Sequence, residues 1–208
     1  VFGMSAPFTT VAGLAIPLPV ANVDTDTIIR IEHLLDNGRA ALREHGFAAL
    51  RLRADGSEDP ACALNQADLA HAPILVAGRN FGCGSSREHA VWALEVRGIR
   101  VVIAASFGDI FVNNCYQNGV LPLTLEAPQV DALLEEAQAR RPLTVSLLEQ
   151  RITTTDQRHF AFSIGPWQRQ RLLSGGDDIA LTLADRAAID AWQRHDRGHR
   201  PWIWSAHS

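Results

Sequence analysis

The sequence predicts an α/β fold with a central βαβ unit, and three observations carry that prediction. Ala72-Pro73-Ile74-Leu75-Val76-Ala77 is a short apolar run bounded by proline and glycine, the pattern of a buried strand. Residues 86–97 follow with helical composition and stop at Gly98. Ile99 to Ala105 is then an almost purely apolar run, too short for a buried helix. Strand, helix and strand with no polar alternation imply parallel pairing in a sheet covered on both faces.

The remaining elements read in order around that centre. Val11 to Ile16 predicts an early strand, and Asp24 to Ile29 a polar turn leading into a short apolar segment. Residues 30–68 are irregular, with Asp55-Gly56-Ser57-Glu58-Asp59-Pro60 as a loop, either a surface insertion or a selector above a binding turn. Ser106, with Asp109 three residues on, predicts a capped second helix that Gly119 ends. Val120 to Leu125 is a strand, and Pro128 starts an amphipathic helix carrying Val130, Leu133, Leu134 and Ala137. Leu143 to Leu148, Arg151 to Thr155 and Phe160 to Ile164 predict strands, the last two joined at Asp156-Gln157. A last helix is expected from about Leu183 to His195.

Composition excludes several function classes. At 208 residues, with 47% hydrophobic and 20% charged residues, the chain suits one soluble domain, with residues 196–208 as a C-terminal tail. No apolar run approaches the roughly 18 residues a membrane span needs, and no secretory segment opens the chain, so a cytoplasmic location is expected. The only methionine is Met4, so Val1-Phe2-Gly3 reads either as a remnant ahead of the natural start or as a processed start. A net charge of −4 argues against a nucleic-acid footprint. Arg140-Arg141, and Arg169 with Arg171, read as solvated helix ends. Cys62, Cys83 and Cys115 are odd in number and widely spaced, which suits neither a disulfide framework nor a metal or cluster site. Arg200-Pro201-Trp202-Ile203-Trp204 carries two large aromatics that are expected to dock, on this chain or on a partner.

Chemistry concentrates in Asn80-Phe81-Gly82-Cys83-Gly84-Ser85-Ser86-Arg87-Glu88-His89. The run sits between the predicted strand and helix, and Ser85 with Glu88 has the spacing of a capping box. The backbone N–H groups and positive end of that helix, together with the planar fork of Arg87, describe an anion site. Within it Cys83 reads as a small space-filler, and Glu88 and His89 as capping and packing groups.

This stretch resembles the swivel domain of the aconitase superfamily, most closely the small subunits of isopropylmalate isomerases (3-isopropylmalate dehydratases). The likeness runs through nearly the whole chain: Ala21-Asn22-Val23-Asp24-Thr25-Asp26-Thr27-Ile28-Ile29, Leu64-Asn65-Gln66, Ser106 to Asn114, Asn118-Gly119-Val120-Leu121-Pro122 and Asp177 to Thr182 appear in the family's order. It implies a swivelling β/β/α domain, and a hydro-lyase that removes a proton beside a carboxylate, eliminates hydroxide and returns water at the neighbouring carbon. It also implies that the [4Fe–4S] cluster sits on a separate large subunit, and that a small dicarboxylate of the alkylmalate type is the substrate. By the same resemblance Ser85 is the base, Ser86 and Arg87 bind substrate carboxylate, and Asp26 shapes the charge around the base. Gly82 and Gly84 are expected to let the backbone approach the substrate closely. A serine hydroxyl is too weak an acid for this work without a strongly cationic setting. The residue-level alternatives are capping for Ser85 and an Asx-turn for Asp26.

Two departures from the family pattern bear on substrate choice. Arg30 stands where many such subunits have proline, and Arg79 stands where a glutamate precedes the asparagine. An added guanidinium near the mouth would favour a second carboxylate or a more polar side chain on the substrate, leaving citramalate or dimethylmalate as alternatives to isopropylmalate, and a plain surface change is the alternative reading of Arg30. A subunit that binds or regulates without chemistry is the alternative from another class, and the intact Ser85-Ser86-Arg87 counts against it.

Overall fold

A computed structural model describes residues 7–33, 38–85, 87–175, 182–183 and 185–204. The Asp177 to Thr182 motif therefore lies outside the described residues except for Thr182. Among the described residues, two four-stranded sheets make the frame. One is antiparallel and contains β1 (Thr10–Gly13), β6 (Leu143–Ser146), β7 (Arg151–Thr153) and β8 (His159–Ala161) in that order. The other is parallel, with β2 (Ala15–Leu18), β3 (Ile74–Ala77), β4 (Val101–Ala104) and β5 (Leu121–Thr124) side by side in chain order.

The expected strand Val11 to Ile16 is thus two strands in different sheets. Gly13 pairs with Leu143 of the antiparallel sheet, and Ala15, two residues on, pairs with Ile74 of the parallel one. A continuous apolar run gives no sign of such a change of sheet. The prolines do carry positional information, because Pro17 lies on β2 and Pro122 on β5, the two edge strands, where the missing N–H costs no ladder bond.

Strand periodicity sorts the core into two. Leu75, Ala77, Val102 and Ala104 face helices α4 (Glu88–Val96) and α5 (Asp109–Gln117), meeting Ala90, Val91, Leu94, Phe111 and Cys115. Ile74, Val76, Val101 and Ile103 face the other way, onto Leu143, Val145 and Ile152 of the antiparallel sheet and Val130, Leu133 and Ala137 of α6 (Ala127–Gln138). The layers are therefore sheet, sheet and helix, the β/β/α arrangement implied by the resemblance. The βαβ centre and the turn between β7 and β8 are where the sequence places them.

The polar residues depart from expectation more than the apolar ones. Arg141, just past the end of α6, is exposed as expected, but its guanidinium also makes a paired contact with the buried carboxylate of Glu136, at 2.5 and 2.8 Å. Arg158, from the turn between β7 and β8, binds the same carboxylate, so one buried glutamate ties α6 to the antiparallel sheet. Arg140 likewise binds Asp68 at 2.7 Å and the side chain of Gln66. Arg169 reaches the carbonyl of Leu148 at 3.0 Å.

Among the described residues, three short α-helices, α1 (Thr25–Ile28), α2 (Gly38–His45) and α3 (Ala48–Arg51), occupy the stretch between β2 and β3. The loop 55–60 is held by the buried Arg51, which contacts Glu58 at 3.1 Å and Asn65 at 2.9 Å. After α7 (Pro166–Ser174), helix α8 (Arg186–His199) runs across the predicted end at His195, and α9 (Pro201–Trp204) folds back on it. Trp204 donates to Asp196 at 2.9 Å and stacks under Arg197, whereas Trp202 is 69% exposed. No helix among the described residues is long and apolar enough to cross a membrane.

Candidate active site

Two loops meet beyond the C-terminal ends of the parallel strands, one after β2 and one after β3. Asn22 and Asn80 both adopt left-handed backbone, a conformation asparagine tolerates, and their side chains bond to each other at 2.8 Å. The backbone then zips: Asn22 N donates to Arg79 O at 2.9 Å, Gly82 N to Val23 O at 2.7 Å, and Thr25 N to Cys83 O at 3.0 Å. A third loop joins from β4. Phe81 N donates to Ser106 O, and Gly108 N to Phe81 O, each at 3.0 Å.

The expected capping box does not form. Helix α4 begins at Glu88, with Arg87 in extended conformation at the N-cap, so Ser85 stands too early to cap it. The Ser85 carbonyl accepts from Thr25 Oγ1 at 2.7 Å, which draws the serine turn toward α1 and away from its own helix. Ser106 does not cap α5 either, because its hydroxyl accepts from the backbone of Asn80 at 2.8 Å and Gly108 takes the N-cap position.

The two glycines of the turn serve different ends. Gly82 is buried with φ +70°, and a Cβ there would lie 2.2 Å from Cγ of Phe111. Its missing side chain makes room for Phe111, which packs edge-on to Phe81 at 5.4 Å. Gly82 is therefore a packing glycine as well as a residue that lines the cleft. Gly84 is exposed, with φ +89°, and an added Cβ would meet nothing closer than the Cβ of Asp24 at 3.4 Å and Oγ1 of Thr25 at 3.9 Å. It leaves the backbone open on the cleft side.

The cleft measures about 190 Å³ and is lined by Thr25, Gly82, Gly84, Arg87 and the first turn of α5 from Gly108 to Phe111. It is bordered by Arg87, the N-cap residue of α4, as the sequence suggested, and also by the N-terminus of α5, which the sequence did not suggest, so a second helix dipole faces it. Arg87 is the cationic lining group, and it forms an ion pair with Asp26 of α1. Asp24, the N-cap of α1, is held below the ordinary carboxylate range chiefly by hydrogen bonding from Thr27, at 2.7 Å from the backbone N–H, with Arg87 adding to the effect. Ser85 is exposed and follows Gly84 at the edge of the cleft.

The structure thus brings Asp26, Gly82, Gly84, Ser85 and Arg87 together, while Ser86 lies outside the described residues. It does not bring in the two arginines considered for specificity. Arg79 lines a separate depression with Pro19, Ala21 and Asp131, and Arg30 is exposed beside Glu32 at 3.5 Å. The loop 55–60 is likewise engaged with Arg51 and Asn65, neither of which lines this cleft. Thr25, Asp109 and Ile110 were not anticipated as cleft residues; their only sequence signal was membership of the two quoted motifs.

The cysteines do not fit a metal cluster. Cys115 is wholly buried among apolar groups, which pushes its thiol well up from the ordinary value, and Cys62 and Cys83 are partly buried on other segments. Among the described residues no group of three histidine, cysteine or acidic side chains is placed to hold a metal ion.

Comparison with known proteins agrees with this architecture. Residues 5–128 match the family model of the aconitase C-terminal domain. The chain is 47% identical over 198 residues to the 3-isopropylmalate dehydratase small subunit of Roseobacter denitrificans, covering 94% of this chain and 98% of the relative. The corresponding subunit of Paracoccus denitrificans is 46% identical with the same coverage. Among solved structures, 3-isopropylmalate dehydratase from Methanocaldococcus jannaschii superposes with a TM-score of 0.63 at 28% identity, covering 88% of this chain and 99% of that one. With a shared sheet, sheet and helix frame, the serine turn in place and near-complete length coverage, the chain belongs to the 3-isopropylmalate dehydratase small subunits of the aconitase family.

Proposed function

We propose that this chain is the small subunit of a heteromeric hydro-lyase that interconverts 2-isopropylmalate and 3-isopropylmalate in leucine biosynthesis, in the cytoplasm, acting as one swivel domain. The observation that carries this reading is the placement of Arg87 in a small cleft beside the open backbone of Gly84 and the exposed Ser85. A guanidinium fork matches a carboxylate in geometry and charge, so Arg87, with Ser86, receives one carboxylate of the substrate. The substrate carbon next to a carboxylate then lies near Ser85, whose hydroxyl exchanges the proton.

For Ser85 to act as the base, its conjugate alkoxide must be stabilised at the moment of transfer. Arg87 and the first turn of α5 supply positive potential in the cleft. Thr25 fixes the Ser85 backbone, and Asp26 sets the net charge by its contact with Arg87. The cysteines here do not fit a [4Fe–4S] cluster, so the cluster, and with it activation of the leaving hydroxyl, belongs in this reading to a separate large subunit.

Mixing the chain with a reconstituted large subunit and assaying 2-isopropylmalate, citramalate and dimethylmalate tests the reading. Turnover of isopropylmalate only when both subunits are present is expected. Turnover by the chain alone, or preference for one of the smaller alkylmalates, would overturn it.

A further inference from the structure

The parallel sheet carries a second depression at the same ends of its strands as the cleft, but on its other face. It measures about 260 Å³ and forms where the chain leaves β2, β3 and β4, through Ala21, Gly78 and Ala105. These three residues are small, which opens the space, and Val130 and Leu134 of α6 give it an apolar wall. The cleft beside Arg87 lies instead on the α5 side, against Phe111 and the other core cluster. The carboxyl ends of parallel strands are the usual place for ligands in open α/β sheets.

Among the described residues, two charged side chains line the depression, Arg79 from the loop after β3 and Asp131 from α6. Both are exposed, and among the described residues neither has an ion-pair or side-chain hydrogen-bond partner. Opposite charges that border one apolar space without meeting each other suit a molecule that carries both. A guanidinium fork pairs with a carboxylate, and a carboxylate pairs with an ammonium. A dianion is disfavoured here, because Asp131 repels its second carboxylate. The volume is just under the roughly 300–1,000 Å³ of pockets for drug-sized ligands, which suits a smaller molecule.

We propose that this depression binds an apolar α-amino acid, with its carboxylate on Arg79, its ammonium on Asp131 and its side chain against Val130 and Leu134. The site is independent of the roles given to Ser85 and Arg87.

Calorimetric titration of the full chain with L-leucine as the probe tests this, beside two analogues that each lack one charge. These are 4-methylpentanoate, without the ammonium, and 3-methylbutylamine, without the carboxylate. Saturable one-to-one binding of L-leucine with a Kd of about 1 mM or below is expected, and each analogue should bind about tenfold more weakly or worse. L-alanine, which lacks the branched side chain, should also bind about tenfold more weakly or worse. Arg79→Gln should weaken L-leucine about tenfold and leave 3-methylbutylamine unchanged. Asp131→Asn should weaken L-leucine and strengthen 4-methylpentanoate, because it removes a like charge from beside the ligand carboxylate. Absence of saturable L-leucine binding, analogues that bind as well as L-leucine, or L-leucine affinity unchanged by both substitutions would each overturn the proposal.

Discussion

Arg87 and Asp26, 61 residues apart in the chain, form an ion pair that joins the serine turn to helix α1. The Asp26 side chain is 54% exposed and that of Arg87 only 20%, so the aspartate approaches from the solvent side of a partly covered guanidinium. If Arg87 receives a substrate carboxylate as proposed, that carboxylate must share it with this aspartate or displace it. Asp26→Asn is therefore expected to lower KM several-fold by removing a competitor. The proposed role of Asp26 in shaping the charge around the base predicts a change in kcat as well. Steady-state kinetics of the assembled enzyme check both, and a raised KM would show that Asp26 orders Arg87 instead of competing with substrate.

Gly82 and Gly84 should respond differently to the same substitution. Gly82→Ala drives a Cβ into the ring of Phe111 at 2.2 Å and holds alanine at φ +70°, so a loss of about 3 kcal/mol is expected from overpacking and backbone strain together. Gly84→Ala meets nothing closer than 3.4 Å and should cost about 1 kcal/mol from its φ of +89° alone, while raising KM by narrowing the cleft. Urea unfolding of the single chain, set beside KM in the complex, separates the two effects.

Glu136 links stability to pH. Hydrogen bonding from Arg141, with Arg158 adding to it, lowers the pKa of this carboxyl in the folded chain below its unfolded value of about 4.3. Its contribution to stability is therefore complete above that value and is lost as pH falls toward the lower, folded pKa. Glu136→Gln is expected to melt about 5 °C lower at pH 7. The difference from the unaltered chain should shrink as the pH is taken below 4, and thermal melts across that range measure it. A constant difference would show that the carboxylate charge is not what Arg141 and Arg158 hold.

The C-terminal helices give a fourth expectation. Trp204, Arg200 and Arg197 close onto α8 through Asp196 and the indole ring, and neither of the two core clusters includes a residue from α8 or α9. Truncation after Gly198 should therefore leave the melting temperature of the single chain unchanged. A lowered value would mean that the tail packs on the body of the domain.

What the sequence disclosed was mostly apolar pattern and motif. The runs at 74–77 and 101–104 read correctly as strands because only a sheet covered on both faces needs unbroken apolar residues, and the serine turn between strand and helix was legible from its glycines. The misreadings share one cause, a distant partner outbidding a local one. Ser85 has the spacing of a cap, yet Thr25, 60 residues away, engages its carbonyl and places it before the helix. Ser106 looks like a cap and instead receives the backbone of Asn80, 26 residues earlier. Gly82 reads as a cleft glycine, and the cleft does include it, but nothing local announces that Phe111 packs over it. Local spacing cannot reveal a partner from another segment of the chain.

The central claim is that Ser85 moves the proton. Ser85→Ala deletes one hydroxyl and leaves the carbonyl that Thr25 holds, so the turn and the substrate affinity should persist. In the complex with the large subunit, the account predicts that kcat falls by a factor on the order of 10² or more while KM changes little, the pattern of a group needed only in the transition state. A kcat within a few-fold of the unaltered enzyme would contradict it.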